Sequence, residues 1–201
     1  MATVVSLLVI LGSYLMGNIL TGPLVARYRT GIDLRQVGSR NVGATNVARS
    51  LGIRLGFLVL FLDALKGFIP LFVARLLNQS DVVLAIAAVA VVLGHDWPVF
   101  ARLQGGKGVA TSLGVLVAIA PKVALVLTLI WLLVVYFSRF VSLGSLVVAV
   151  LLPFTMLVFR MSTAYVVAGA ILGIMAIVRH WSNIQRLRDG SELKFKLGQR
   201  Q

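Results

Sequence analysis

The sequence contains no cysteine and only six acidic residues among 201. The lack of Cys excludes disulfides, thiolate nucleophiles and Cys-ligated metals, and it leaves the cellular compartment open. The few carboxylates are widely dispersed, whereas metal-dependent alcohol phosphatidyltransferases need several spaced Asp residues. We therefore predict neither a metal site nor a cofactor.

Apolar segments make up most of the chain. Hydrophobic residues account for 59% of it, and its mean hydropathy of +0.99 lies far above that of a soluble domain. About 20 helical residues cross a hydrocarbon core of roughly 30 Å. Seven segments are candidates to cross it: Val4–Val25, Leu55–Leu77, Val82–Leu93, Val109–Ala120, Val123–Phe137, Leu143–Phe159 and Thr163–Val178. The first is interpreted as a retained helix, because it lacks the basic n-region of a signal peptide and its apolar stretch is too long.

The formal net charge of +13 could indicate nucleic-acid binding. In a membrane protein, however, excess Arg and Lys mainly anchor cytoplasmic loops. We therefore predict no nucleic-acid partner.

The number of helices depends on the segment Val109–Phe137. A single helix of that length would be about 43 Å long, well over a bilayer core, and a turn at Ala120-Pro121-Lys122 would divide it. With the turn, one side of the membrane receives 15 basic residues, and the other receives Arg75, Lys122 and Arg160. Without the turn, Arg139 and the tail move to the other side, and the bias disappears. The positive-inside rule favours the turn. The 15 basic residues are Arg27, Arg29, Arg35, Arg40, Arg49, Arg54, Arg102, Lys107, Arg139, Arg179, Arg186, Arg188, Lys194, Lys196 and Arg200.

The predicted fold class is therefore all-α: a polytopic membrane protein with seven transmembrane helices, the N-terminus outside and the C-terminus cytoplasmic. Residues 1–201 are expected to form a single domain. Three polar, glycine-rich segments, at 37–50, 93–112 and 179–192, then all face the cytoplasm. The helix Val82–Leu93 would span only about 18 Å. We therefore expect non-helical backbone at Gly94 and His95, forming the floor of a pocket below headgroup level.

The first two polar segments have the composition of anion-binding loops. Glycines let backbone N–H groups converge on an anion, and Ser, Thr and Asn add donors. The first segment interleaves Ser39, Asn41, Thr45 and Asn46 with Gly38 and Gly43, and Arg49 follows. In the second, Gly105-Gly106-Lys107-Gly108 leads into a helix that begins with Val109 and contains Thr111, an arrangement suited to phosphate. Tight helix packing by small residues is the alternative, but it does not explain the Lys.

The third segment places Arg179, His180, Asn183 and Arg186 within about two helical turns. His180 and Asn183 have i,i+3 spacing and would share a helix face. Two ionisable residues also occur within an apolar helix, Asp63 and Lys66. Such residues mark functional sites by default, but their i,i+3 spacing also allows a self-neutralising structural pair, which we favour.

In this order and spacing, the three segments resemble the bacterial acyl-phosphate–glycerol-3-phosphate acyltransferase family. Arg40 replaces the Gly more usual between the Ser and Asn of the first motif. The residues that carry the resemblance are Gly38-Ser39, Asn41, Gly43-Ala44-Thr45-Asn46 and Arg49; Leu93-Gly94-His95, Pro98, Phe100 and Gly105-Gly106-Lys107-Gly108-Val109-Ala110-Thr111; and Arg179-His180, Asn183-Ile184 and Arg186-Leu187.

The resemblance implies a multi-pass protein of the bacterial inner membrane whose active site faces the cytoplasm. Such an enzyme transfers an acyl group from acyl phosphate to the 1-hydroxyl of glycerol 3-phosphate, giving lysophosphatidate and phosphate. Its partners would be these substrates, membrane lipids and a soluble enzyme that makes acyl phosphate. The implied catalytic residues are Lys107, His180 and Asn183. The implied substrate-binding residues are Ser39, Asn41, Gly43, Thr45, Asn46, Arg49, His95, Gly105, Gly106, Gly108, Thr111, Ser142, Ser145, Arg179 and Glu192.

Two questions stay open at the level of sequence. The general base is either His180, whose unperturbed pKa of about 6.5 suits the role, or a phosphate of a substrate. The non-enzymatic alternative is a transporter of organic phosphate, but no internal repeat is visible, and all three segments fall on one side of the membrane. Acyltransferases that use coenzyme A or acyl carrier protein commonly carry His-x4-Asp. Here Phe100 and Gln185 stand at the Asp position.

Overall fold

The computed structural model describes residues 2–195, and this part of the chain contains helices and no strands. Lys196 and Arg200 of the predicted cytoplasmic tail lie outside it. A 3₁₀ turn at Val99–Ala101 adds to the α-helices. These are α1 (Ala2–Gly17), α2 (Thr21–Thr30), α3 (Ala44–Leu51), α4 (Ile53–Leu76), α5 (Asp81–Asp96), α6 (Val109–Ile119), α7 (Pro121–Ser138), α8 (Val141–Val158), α9 (Thr163–Arg179) and α10 (Trp181–Arg188).

Within the described residues, five helical stretches are long and apolar enough to cross a membrane. A sixth is gained if α9 and α10, which meet at a bend of 58°, are counted together. Helix α6 has 11 residues and falls short of that length. The all-helical, multi-pass architecture is confirmed, whereas length and composition do not confirm the count of seven. The five stretches are Thr3–Thr30, Ile53–Leu76, Asp81–Ala101, Pro121–Ser138 and Val141–Val158.

The first predicted helix, Val4–Val25, is interrupted. The chain leaves helical geometry after Gly17 and resumes it at Thr21. The break releases the carbonyl of Ile19, which accepts a hydrogen bond of 2.6 Å from the Lys66 ammonium. A polar group inside a bilayer needs such a partner. The interruption therefore provides an acceptor for a buried cation.

The third helix is longer than predicted, and the expectation of non-helical backbone at Gly94 and His95 is wrong. Helix α5 continues through both residues to Asp96. Gly94 is needed there because a Cβ would collide with the carbonyl of Tyr14 on α1. Irregular backbone begins only at Trp97, and it includes the Gly105–Gly108 loop.

The predicted division of 109–137 is confirmed. Helix α6 ends at Ile119, Ala120 leaves helical geometry with φ −145° and ψ 62°, and α7 starts at Pro121. Pro is favoured at the first position of a helix because its missing N–H would have no partner there.

Two apolar cores fix the positions of the polar loops. The larger core is formed by residues of α4 to α9, with Val91 and Val115 among its fully buried members. The smaller core consists of Ala26, Leu34, Val47 and Val59, and it packs beneath the first polar segment. Because this core contains Val47 of the first polar segment and Val59 of α4, it holds the segment against α4.

Candidate active site

Lys107, Asn183 and Glu192 meet at one cluster, although they come from the second and third polar segments. The Lys107 ammonium donates to the side-chain oxygen of Asn183. The amide nitrogen of Asn183 donates to Glu192 Oε1 at 2.6 Å, and the Ser142 hydroxyl donates to the same oxygen at 2.6 Å. Arg186 Nε completes the contacts of Glu192 by donating to Oε2 at 2.7 Å. Four of the predicted functional residues are thus brought together.

The electrostatics of this cluster follow from partial burial. Burial lowers the pKa of Lys107 to about 8, although Glu192 opposes the shift. Burial alone would raise the pKa of Glu192, but hydrogen bonds from Ser142, Asn183 and Arg186 more than offset this and lower it. Near neutral pH the cluster therefore holds an ionised carboxylate and a mostly charged lysine.

The glycine loop, residues Gly105–Gly108, is contacted by side chains on two sides. On one side, Arg179 donates from Nε to the carbonyl of Gly106 and from Nη2 to that of Gly105, both at 2.8 Å. The same guanidinium lies 5.3 Å from the centre of the Trp97 ring. On the other side, the His95 imidazole lies where a Cβ of Gly106 would be. Gly108, with φ +68°, directly precedes α6. These contacts fix the position of Lys107.

His95 lies outside the Lys107 cluster, in a sealed network with Asp63 and Lys66. The Lys66 ammonium is 2.9 Å from Asp63 Oδ1 and 2.7 Å from His95 Nδ1. Thr21 donates to Asp63 at 2.8 Å. Lys66 and His95 are each 4% exposed and Asp63 is 2% exposed, so this network has little access to solvent or substrate.

In the first polar segment, Asn46 binds the loop itself. Its amide nitrogen donates to the carbonyls of Leu34, Val37 and Asn41, and its oxygen accepts from Ser39 N at 2.8 Å. Asn41 Oδ1 accepts from Gly43 N at 2.8 Å. The geometry gives Asn46 a scaffolding position and leaves the Ser39 hydroxyl and the Asn41 amide group available as donors.

His180 occupies the junction between α9 and α10. Its Nδ1 lies 2.7 Å from the carbonyl of Ala176, so that Nδ1 carries the proton and Nε2 holds the lone pair. Its backbone carbonyl accepts from the backbone N–H of Asn183 at 2.8 Å. The predicted relation between His180 and Asn183 is thus realised through a bend rather than along one straight helix.

An apolar cavity of about 1400 Å³ lies between α3, α4, α6, α7, α8 and α9. Thr45 and Ser112 are among its polar lining residues. Ser145, also in the lining, accepts a hydrogen bond of 3.3 Å from Trp131 Nε1 and donates to the carbonyl of Val141. Thr111 is fully buried and outside the lining. No signal in the sequence indicates this cavity, because it arises from the packing of six helices from different parts of the chain.

Two further features escaped the sequence analysis. Arg186 anchors Glu192 across a turn that has no regular helical spacing. Arg49, predicted to bind substrate, reaches the carbonyl of Leu193 at 3.4 Å, so the segment after α10 folds back towards the first polar segment. Within residues 2–195, no group of three or more His, Asp or Glu side chains is arranged to hold a metal ion.

The known proteins that this chain resembles share one description, glycerol-3-phosphate acyltransferase. A family model described as glycerol-3-phosphate acyltransferase matches residues 7–190. A glycerol-3-phosphate acyltransferase of Desulforamulus reducens is 41% identical over 200 residues, which cover 100% of this chain and 99% of the relative. The glycerol-3-phosphate acyltransferase of Aquifex aeolicus is 43% identical over 191 residues, covering 94% and 99%.

The fold is also similar to solved structures of PlsY (YgiH), an integral membrane glycerol 3-phosphate acyltransferase. The glycerol 3-phosphate form superposes with a TM-score of 0.91 at 43% identity, covering 95% of this chain and 96% of that one. The lysophosphatidic acid form gives a TM-score of 0.89 at 42% identity, covering 95% of each chain. The similarity extends over nearly the whole chain and includes all three polar segments, and the chain belongs to the glycerol-3-phosphate acyltransferase family of integral membrane acyltransferases.

Proposed function

We propose that this acyltransferase uses acyl phosphate as its donor and acylates the 1-hydroxyl of sn-glycerol 3-phosphate. The observation that carries the proposal is the proximity of two environments. A cluster of phosphate-binding groups around Lys107 adjoins an apolar cavity of about 1400 Å³, whose lining includes Val109, two residues beyond that lysine. One environment suits a phosphorylated acceptor, and the other suits a fatty acyl chain.

The proposed reaction is a direct transfer of the acyl group from acyl phosphate to the acceptor hydroxyl. The acceptor hydroxyl oxygen bonds to the donor's carbonyl carbon, the bond from that carbon to the phosphate oxygen breaks, and inorganic phosphate leaves. Acyl phosphate is already activated, so no covalent nucleophile on the enzyme is required. The protein's tasks are positioning and stabilisation of developing charge.

Lys107 and Asn183 are well placed to bind the phosphate of the acceptor. Lys107 is mostly cationic near neutral pH, and Asn183 presents an amide beside it. Arg49, Ser145 and His180 would complete this site. The free donors of the first polar segment, Ser39 and Asn41, would bind the phosphate of the donor. The similar PlsY protein, crystallised in glycerol 3-phosphate and lysophosphatidic acid forms, supports the acceptor and the product.

The hydroxyl proton has two candidate acceptors. His180 Nε2 has a free lone pair because Nδ1 is engaged by the carbonyl of Ala176. The leaving phosphate is the alternative, since it gains negative charge as the bond breaks. Loss of the imidazole distinguishes these routes through its effect on kcat.

Helix directions support seven crossings. Helices α1 and α5 are parallel, because Ser6 bonds Gln79 at their starts and Tyr14 bonds the carbonyl of Trp97 at their ends. Helices α5 and α9 are also parallel: Tyr165 bonds Asp81 near their starts, and Arg179 bonds the loop that follows α5. Only an odd number of crossings between α5 and α9 gives this direction. Since α7 and α8 each have the length of a span, the short α6 would supply the third.

With the N-terminus outside, this arrangement places the three polar segments and residue 194 in the cytoplasm of a bacterium, at its inner membrane. Acyl phosphate would then be delivered from the cytoplasmic side by a soluble enzyme that produces it. We treat residues 1–201 as one catalytic domain.

The donor is tested with purified protein in detergent. We expect transfer from acyl phosphate to glycerol 3-phosphate without added metal and in the presence of EDTA, measured as radiolabelled lysophosphatidate. Acyl-coenzyme A supplied alone serves as the matched donor control. Equal rates with acyl-coenzyme A, or complete loss of activity in EDTA, would contradict the proposed donor and mechanism.

Topology is tested by single-cysteine labelling, which the absence of native Cys makes direct. Arg102→Cys, Arg139→Cys and Lys194→Cys should react with an impermeant thiol reagent only after the membrane is opened. Gln79→Cys should react in intact cells. Reaction of Arg139→Cys or Lys194→Cys in intact cells would refute the seven-crossing arrangement.

A further inference from the structure

A second pocket, polar and smaller, lies beside the loops. Its volume is about 340 Å³, and its lining contains three arginines from two distant parts of the chain. None of its lining residues lines the apolar cavity, and none belongs to the group of Lys107, Asn183 and Glu192. Its lining includes Arg35, Arg40, Asn41, Leu103, Gly105 and Arg179.

Among residues 2–195, the three guanidinium groups of this pocket form no ion pair with a carboxylate. The ion pairs formed within residues 2–195 involve Lys66, His95 and Arg186. Arg35 Nη2 donates to the carbonyl of Gln104 at 3.2 Å, and Arg179 donates to the carbonyls of the glycine loop. These contacts fix two of the side chains in place without neutralising them. Three like charges around one concave space repel each other, and an anion placed between them relieves that repulsion.

The pocket also offers donors with the geometry that phosphate requires. Arginine presents a planar fork of N–H groups that matches phosphate oxygens in pairs. Arg40 has φ +59°, a left-handed conformation that is uncommon for a side chain other than Gly or Asn.

We propose that the Arg35–Arg40–Arg179 pocket binds a phosphate group as an anion site distinct from the Lys107 cluster and bordering the donor site at Asn41. Two sources could supply that chemistry: free inorganic phosphate, or the headgroup phosphate of an anionic lipid. Leu103, in the pocket wall, is 53% exposed, and the nearby Phe100 is 80% exposed. Exposed apolar side chains beside cationic ones are typical of a surface in contact with lipid headgroups. The binding measurement does not depend on the identity of the acyl donor, whereas the kinetic test rests on the proposed acyl phosphate donor.

The test measures binding of inorganic phosphate by calorimetry to protein in phosphatidylcholine nanodiscs. Lys107→Ala serves as the background, so that the anion site at the reaction centre is weakened. In that background, we expect Arg35→Gln combined with Arg40→Gln to weaken phosphate binding at least tenfold. Arg102→Gln is the matched control, because Arg102 is an exposed arginine of the same region outside the pocket, and it should leave binding unchanged.

A second arm identifies the source of the phosphate. In nanodiscs containing phosphatidylglycerol, a lipid occupant would abolish the binding of free phosphate that depends on Arg35 and Arg40. If free phosphate is the occupant, that binding persists. Both results support a phosphate site and differ only in its source.

Two results would overturn the proposal. The first is unchanged phosphate binding in the Arg35→Gln, Arg40→Gln protein, with an unaltered thermal unfolding curve to show that it is folded. The second is a rise in KM for acyl phosphate when the same two substitutions are placed in the protein with Lys107 intact. That rise would make the pocket part of the donor site rather than a separate one.

Discussion

Each of two clusters contains a lysine, and the two lysines differ in how many of their N–H donors are bound by protein acceptors. In the Asp63–Lys66–His95 network, the ammonium has protein acceptors at 2.6, 2.7 and 2.9 Å, and every member is almost completely buried. In the cluster of Lys107, Asn183 and Glu192, the lysine is only partly buried, and it has one protein acceptor among the described residues. An ion whose donors are all used within the protein supports the fold. A partly satisfied ion retains donors for a substrate.

The same comparison accounts for the difference between the two histidines. His95 Nδ1 faces Lys66, and its ring packs on Gly106, so that the imidazole transmits the position of α5 to the glycine loop. The Nδ1 of His180 is held by a backbone carbonyl at a bend between two helices. Both residues were predicted from the sequence to lie in the substrate site. On this geometry we regard His95 as a positioning residue.

The largest effect is expected from breaking the buried network. Asp63→Asn removes the charge that compensates Lys66, and leaving one member of a buried ion pair alone typically costs about 3–5 kcal/mol. We expect a large fall in the midpoint of thermal unfolding in detergent, and low recovery from membranes. The double variant Asp63→Leu, Lys66→Met removes both charges and should recover much of the stability. A single variant as stable as the wild type would show that the network does not support the fold.

The next largest effect is expected from the loss of the His180 imidazole. His180→Ala should lower kcat by about 100-fold if Nε2 accepts the hydroxyl proton, because general-base catalysis typically contributes 10²–10⁴-fold. The unfolding midpoint should change much less than in Asp63→Asn. Steady-state kinetics at saturating glycerol 3-phosphate provide the measurement. A defect confined to KM for that substrate would assign His180 to positioning and the proton to a substrate phosphate.

Lys107→Ala should lower kcat/KM about 10- to 150-fold. The estimate reflects one hydrogen bond to a charged group in a partly dehydrated site, worth roughly 1.5–3 kcal/mol. Arg54→Ala is the matched control, since Arg54 is an exposed basic residue outside the clusters described above. Near-normal kinetics for both Lys107→Ala and His180→Ala would refute the proposed acceptor site.

The smallest effect is a change in the pH profile. Burial lowers the pKa of Lys107 to about 8, so the ammonium is charged below that pH and loses its charge as the pH rises through it. We expect kcat/KM for glycerol 3-phosphate to decline above about pH 8. Lys107→Arg keeps its charge to much higher pH, and the variant's residual activity should lack this decline. An identical decline in both proteins would assign it to another group.

The sequence predicted much of the fold for physical reasons that act locally. Apolar runs of the right length identify membrane helices whatever their partners, and Ala120-Pro121 marks the division between α6 and α7. The errors lie where distant helices meet. The extension of α5 through Gly94 and the interruption of α1 after Gly17 depend on backbone contacts between these two helices, which neither segment encodes alone.

The same division applies to the site. Sequence by itself determined the class of protein, its three polar segments and the residue types able to bind phosphate, because composition and spacing express solvation and local geometry. Tertiary structure decided which groups remain available. Lys107 donates to Asn183, which in turn donates to Glu192. His95 is buried against Lys66, and the amide nitrogen of Asn46 donates to carbonyls of its own loop. A side chain's free donors are set by the neighbours that satisfy it, and those neighbours are brought together only when the helices pack.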